Sequence, residues 1–307
     1  MDAQAVELLS RLMKGKAMQY RTGVAMVLTA GVLWSFQALI IRQIDEAGAW
    51  TVLFWRSLAM FPVLMLFMAW RSGWAPLQAM RKAGVAGVLG GLGLVVAMSG
   101  AIIAFKTTSV ANAAFLFAAS PFLAAILGRA ILGEAVASRT WIAIAIAMVG
   151  IFIMVREGLD AGAWIGNLAA LSSAIGFAAF SVALRWRRID DSLPTSVLGG
   201  MMAVVVAGLV AVQTGQPLVV ATSDILWCLL MGLFTMSGGM ILYTLGSKVV
   251  PSAELTLLSN TEVMLAPFWV WLIIGETASA GTFVGGAILM VAILFNAWTG
   301  ARRTVAA

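Results

Sequence analysis

Histidine is absent from the 307 residues, and cysteine occurs once, as Cys228. Histidine-bearing zinc sites and His-ligated haem are therefore excluded, and a lone thiol closes no disulfide within the chain. Charge is scarce as well: Asp, Glu, Lys and Arg make up 10% of the residues, against about 25% in a soluble domain. Connections between apolar runs are short, so no loop could house a soluble catalytic domain. No dinucleotide or phosphate-loop motif, metal-ligand cluster or nucleophile–base pair is present. The expectation is a protein that is not an enzyme and that carries no metal and no cofactor. A channel, which needs a ring of charge or carbonyls, is disfavoured because one Arg and one Glu lie deep in apolar sequence.

Hydrophobic residues make up 62% of the chain, and its mean hydropathy is +1.01. Such a chain is an integral membrane protein whose first partner is the lipid bilayer. Windows of about 20 apolar residues, bounded by charge or by Pro and Gly, place ten spans. They fall near 22–41, 50–70, 83–104, 109–131, 139–155, 162–184, 194–213, 223–245, 252–273 and 281–299. The fifth is short enough to call for a thinned bilayer. Ahead of them, residues 1–21 carry Ala5, Leu8, Leu9, Leu12 and Met13 at helical spacing opposite basic residues, which predicts an amphipathic helix on the membrane surface and no secretory signal peptide. Residues 300–307 form a short tail.

The net charge of +6 sits in short loops between spans, which reads as a topology signal and not as a nucleic-acid surface. With spans alternating, 15 Lys and Arg fall on one side, against Arg42, Lys106 and Arg156 on the other. By the positive-inside rule both termini are cytoplasmic.

The chain also repeats itself. A shift of about 142 positions lays Lys106 on Lys248, Ala111 on Ala253, Gly133–Glu134 on Gly275–Glu276 and Thr140 on Thr282. A shift of about 143 lays Gly23 on Gly166 and Arg42 on Arg185. These offsets divide the chain into repeats over 22–155 and 162–299, with five spans each. An odd number of spans inverts the second copy in the membrane, the skeleton of alternating-access transporters with a midplane site between the halves. The expected fold is all-α integral membrane, with ten transmembrane helices in two inverted five-helix repeats. Glycines crowd equivalent places, Gly84, Gly87, Gly90, Gly91 and Gly93 in the third span and Gly238–Gly239 in the eighth. They read as tight packing or as a sliding element.

The run Ala111-Asn112-Ala113-Ala114-Phe115-Leu116, followed by Pro121, Leu132-Gly133-Glu134 and Gly150-Ile151, resembles the signature of EamA-type drug/metabolite transporters. The second copy repeats it as Pro251-Ser252-Ala253-Glu254 and Gly275-Glu276, and Trp34 and Phe54-Trp55-Arg56 resemble the family's first two helices. The resemblance covers essentially the whole chain. It implies secondary transport of small organic solutes across a bacterial inner membrane, often export of amino acids or related metabolites, by a monomer or homodimer. Import of a vitamin or another metabolite is the alternative. The second copy has Val263 where the first has Pro121, and places Pro267 four residues later, so its helix break is expected one turn deeper.

Seven residues form the expected substrate-binding set. Glu262 lies midway along the ninth span, roughly 15 Å from its start. A carboxylate at that depth is costly and reads as functional, so Glu262 is the proton-coupling candidate, with contact to a substrate amine or a helix-tying role as alternatives. Arg56 lies about 9 Å below the outer end of the second span, where it either forks onto a substrate carboxylate or phosphate or pairs structurally. Trp34 and Gln37 share a face of the first span, an aromatic wall beside an amide. Asn112 sits near a helix start, where it either caps or touches substrate. Tyr243 and Asn260 complete the set, with Asn167 weaker. Glu134 and Glu276 read as structural pins at the two surfaces.

Overall fold

Residues 20–72, 75–160, 163–189, 191–250, 258 and 261–304 are described in the computed structural model. Asn260, Glu254, the start of the ninth span and all but the last two residues of the 1–21 segment lie outside them. The described residues form helices and turns, with no strand. A hydrocarbon layer offers backbone N–H and C=O groups no water, so each apolar run closes its own hydrogen-bond ladder.

In order, the helices are α1 (Tyr20–Ile41), α2 (Ala49–Arg71), α3 (Pro76–Thr107), α4 (Val110–Phe117), α5 (Ser120–Leu132), α6 (Ser138–Asp160) and α7 (Trp164–Trp186). There follow α8 (Leu193–Gln213), α9 (Thr222–Leu230), a π-helical segment (Met231–Gly238), α10 (Gly239–Gly246), α11 (Thr261–Ile274) and α12 (Ala280–Thr304). Among the described residues, eight segments are long and apolar enough to cross a membrane: α1, α2, α3, α4 with α5, α6, α7, α8, and the run Thr222–Gly246. Thr261–Ile274 and Ala280–Asn296 are shorter apolar helices.

Four helices differ from the sequence reading for identifiable reasons. The third begins at Pro76, whose fixed φ suits a first turn, and kinks at Gly84, where φ is 54°. The fifth span, α6, runs for 23 residues, about 34 Å at 1.5 Å per residue, so it needs no thinned bilayer. In the first repeat the fourth span breaks between α4 and α5, with Pro121 in the opening turn of α5. In the second, Pro267 lies inside α11 without dividing it, so the break expected one turn deeper does not occur there.

Glycine sets the closest packing. α3 lies along α7: a Cβ on Gly93 would stand 2.8 Å from the Gly176 carbonyl oxygen, and one on Gly100 would stand 2.6 Å from that of Ala169. Gly150 of α6 meets Gly285 of α12 in the same way. Small residues there let backbones approach to distances that a larger side chain forbids. α1 packs on the π segment, α10 and α11, while α7 packs on α3, α4 and α5. The outward faces stay apolar, as lipid requires: Ile142, Met148, Val149 and Phe152 of α6 and Phe283, Val284 and Val291 of α12 are all exposed. Cys228 is buried.

Candidate functional site

Within this bundle α1, α2 and the span from α9 to α10 bring polar groups together. Arg56, about two turns into α2, is 1% exposed. Its Nη1 donates to Gln37 Oε1 of α1 at 3.4 Å, near the limit of a hydrogen bond. Its Nε and Nη2 are buried and have no protein partner. The backbone of Arg56 touches the π segment, where a Cβ on Gly232 would collide with the Arg56 carbonyl oxygen. One helical turn before Gln37, Trp34 lays its ring 5.5 Å from that of Tyr243 and against Gly239. Its Nε1 is also buried without a partner.

Unpaired N–H groups in low dielectric are expensive, and an unpaired guanidinium costs several kcal/mol. Arg56 and Trp34 present such donors from neighbouring helices, and Ser57 adds a buried hydroxyl without a partner. An acceptor-rich group, above all a carboxylate, is what this set would satisfy. The π segment beside it leaves a widened turn of a kind that recurs at functional sites.

Glu262 occupies the first turn of α11, on the other flank of α1. A Cβ on Gly31 of α1 would stand 3.6 Å from the Glu262 backbone nitrogen. No hydrogen bond or ion pair joins the Glu262 carboxylate to another described residue. Four residues on, Ser35 Oγ accepts from Trp269 Nε1 at 2.9 Å, and Phe36 stacks on Trp269 at 5.1 Å. Those contacts fix α11 against α1 and so fix the level of Glu262.

The structure thus brings Trp34, Gln37, Arg56 and Tyr243 together, with Glu262 about two turns along α1. Asn112 stands elsewhere, at the start of α4. Its Nδ2 bonds Asn167 Oδ1 of α7 and Thr108 Oγ1, and Asn167 Nδ2 donates to the Val155 carbonyl. Ser109, not Asn112, caps α4: its hydroxyl accepts from the Asn112 backbone N–H. A groove of about 630 Å³ lies between α4, α11 and α12, lined by Phe115, Met264, Phe268, Trp271 and Phe283. Met264, Trp271 and Phe283 are exposed on the apolar outer face, and the lining includes none of the seven expected site residues. We therefore locate the candidate site at Arg56 and not in the groove.

Two ion pairs were not read from the sequence, although their members were. Arg42 forks onto Glu276, with Nε to Oε2 at 2.9 Å and Nη2 to Oε1 at 3.1 Å. Arg185 meets Glu134 at 3.3 Å. Each joins the arginine of one repeat to the glutamate of the other. The matching offsets of Arg42 with Arg185 and of Glu134 with Glu276 held that signal.

The family model described as the EamA-like transporter family matches residues 21–156 and 164–298. A solved crystal structure is similar in fold, with a TM-score of 0.63 and 19% identity over 89% of this chain and 96% of that one. No curated protein matches by sequence.

Proposed function

This chain belongs to the EamA-like transporter family, and from that premise we propose that it is a secondary active transporter exporting amino acids or related small metabolites by alternating access. The family is one of transporters, and the multi-pass membrane architecture stands with it. In this reading the eight full-length spans and the two shorter helices make ten, in inverted repeats over 22–155 and 162–299. Both termini face the cytoplasm of a bacterial cell, and the membrane crossed is the inner one.

A buried guanidinium with two unpartnered nitrogens carries the proposal. A structural arginine in hydrocarbon would have its fork satisfied within the protein; Arg56 holds Gln37 with one nitrogen and leaves the rest of its fork open to a carboxylate. Gln37 and Gly31 mark the levels of Arg56 and Glu262 along α1. Six residues of helix separate them, about 9 Å. A small zwitterion hydrogen-bonded at both ends fills such a span, its carboxylate on Arg56 and its amine towards Glu262, with the Trp34–Tyr243 pair as the apolar wall. Glu262, which no described cation neutralises, exchanges a proton for the amine and so couples export to the proton gradient.

Thermal stability of the purified protein, measured against amino acids, polyamines, vitamins and nucleosides, tests this. A ligand at 100 times its Kd adds about 2.7 kcal/mol. Zwitterionic amino acids are expected to stabilise the wild type and to lose that effect in Arg56→Ala and in Glu262→Gln. Stabilisation by vitamins or nucleosides that ignores both substitutions would remove the site assignment.

A further inference from the structure

The third helix is longer than the membrane it crosses. α3 holds 32 residues, about 48 Å at 1.5 Å per residue, against about 30 Å of hydrocarbon. The part from Val85 to Thr107 is about 34 Å long and spans alone. The surplus is Pro76–Ala83, and Gly84 sets it off. There φ is 54° and ψ is −146°, outside the helical region, and a Cβ on Gly84 would meet nothing within 4 Å. Glycine stands at that position for its dihedrals and not for packing. The bend is sharp: a Cβ on Gly87 would stand 2.5 Å from that of Ala83. In a regular helix, Cβ atoms four residues apart are about 5–6 Å from each other.

Folded over in this way, Pro76–Ala83 has two faces. Ala79 and Met80 pack against the buried cluster that includes Met68 of α2 and Leu193 of α8, and Ala83 is buried. Leu77, Gln78, Arg81 and Lys82 form the opposite stripe, and all four are exposed. Arg81 and Lys82 make no ion pair or hydrogen bond with a described residue. Arg71, at the end of α2, is by contrast paired with Asp191 at 3.1 Å. Beside it Trp70 is 68% exposed, and Leu77 is 66% exposed. A face washed by water has no use for Leu77 and Trp70, and a face sunk in hydrocarbon would not carry two unpaired cations. The headgroup zone suits both, with aromatic and apolar side chains turned to the acyl boundary and cations against phosphate.

We infer that Pro76–Ala83 lies along the membrane surface and binds an anionic phospholipid, its phosphate held by Arg81 and Lys82 and its acyl chains against Leu77 and Trp70. Two cations without a protein counter-charge favour a lipid of net negative charge over a zwitterionic one, whose phosphate already has a cation beside it. The bend at Gly84 creates the site, because a straight α3 would carry Arg81 and Lys82 away from the surface along its own axis. The inference rests on the multi-pass membrane architecture and on no substrate or coupling ion.

The test places a fluorophore on Gln78→Cys, in a Cys228→Ala background, with the full chain reconstituted in phosphatidylcholine vesicles. A fixed small share of the lipid carries a nitroxide high on one acyl chain, on phosphatidylglycerol in one set and on phosphatidylcholine in the other. Both lipids are expected to quench the fluorophore, phosphatidylglycerol at least three-fold more strongly at equal mole fraction. That ratio is expected to fall to near one in Arg81→Gln/Lys82→Gln. It is expected to persist in Arg81→Lys/Lys82→Arg, and in Arg129→Gln/Arg187→Gln, which removes the same charge from exposed arginines elsewhere. Should Arg81→Gln/Lys82→Gln fail to fold, the parent in 1 M salt, where the Debye length is about 3 Å, is read in its place, again with a ratio near one. Absence of quenching by either lipid overturns the surface placement. A ratio of one in the parent, a ratio that survives neutralisation of Arg81 and Lys82, or one that falls as far in Arg129→Gln/Arg187→Gln overturns the lipid site.

Discussion

Arg56 is where local chemistry and burial disagree most sharply, and the disagreement can be measured. If its fork is kept for a carboxylate, Arg56→Lys retains charge but loses planar two-point geometry. The expected outcome is ligand affinity weakened by roughly ten-fold or more, about 1.4 kcal/mol, as read by calorimetry on the stabilising ligand. Unchanged affinity would mean that a point charge suffices. For Glu262 the sign follows from the proposed exchange: export by the wild type rises with an inward proton gradient, and Glu262→Gln flattens that dependence. An unchanged pH profile in the variant would end the coupling role. Asn112 tests the opposite kind of residue. Its Nδ2 is tied to Asn167 and Thr108, so Asn112→Ala is expected to cost about 0.6–2 kcal/mol, the range for interhelical polar contacts in membranes, as seen in thermal unfolding.

Among the helices, glycine is used in two ways. Gly133 closes α5 and Gly275 follows α11, with φ of 69° and 79°, a left-handed conformation that L side chains adopt at a cost. Each Gly→Ala substitution there is expected to lose about 1–2 kcal/mol, and each also displaces the glutamate that follows it. Gly93 is a different case, since its φ is ordinary and the constraint is the α7 backbone beside it. Gly93→Val forces α3 from α7, and overpacking of this kind costs about 1–3 kcal/mol; poor yield or a lowered melting temperature would show it. Both glycines of the Gly-Glu motifs were legible as punctuation. Tight packing was one of the two readings open for Gly93, but that its partner is the α7 backbone at Gly176 and Phe180 was not legible, because a glycine in an apolar run carries no mark of which helix it meets.

For the whole molecule, the proposed topology predicts that reporters at the C-terminus and after Arg187 score cytoplasmic, while one after Gly215 scores on the far side. A reporter scoring against this pattern would break the ten-span reading. Composition and periodicity alone determined that the chain is helical, membrane-embedded and duplicated, because water-free surroundings leave the backbone few other solutions. The motifs Leu132-Gly133-Glu134 and Gly275-Glu276 sufficed for the family, and Arg56 stood out because a charge within an apolar run is conspicuous in one dimension. Partnership was decided in three dimensions. The shift that laid Arg42 on Arg185 and Glu134 on Glu276 did not reveal that each arginine crosses to the other repeat's glutamate. Nor did it reveal that the Arg42–Glu276 pair also reaches the opening of α4. The π turn at Met231–Gly238 was equally invisible, since π and α turns draw on the same residues and their choice follows from packing against α1 and α2. A sequence carries its charges and breaks locally, but a contact between residues 234 positions apart exists only once the helices between them have packed.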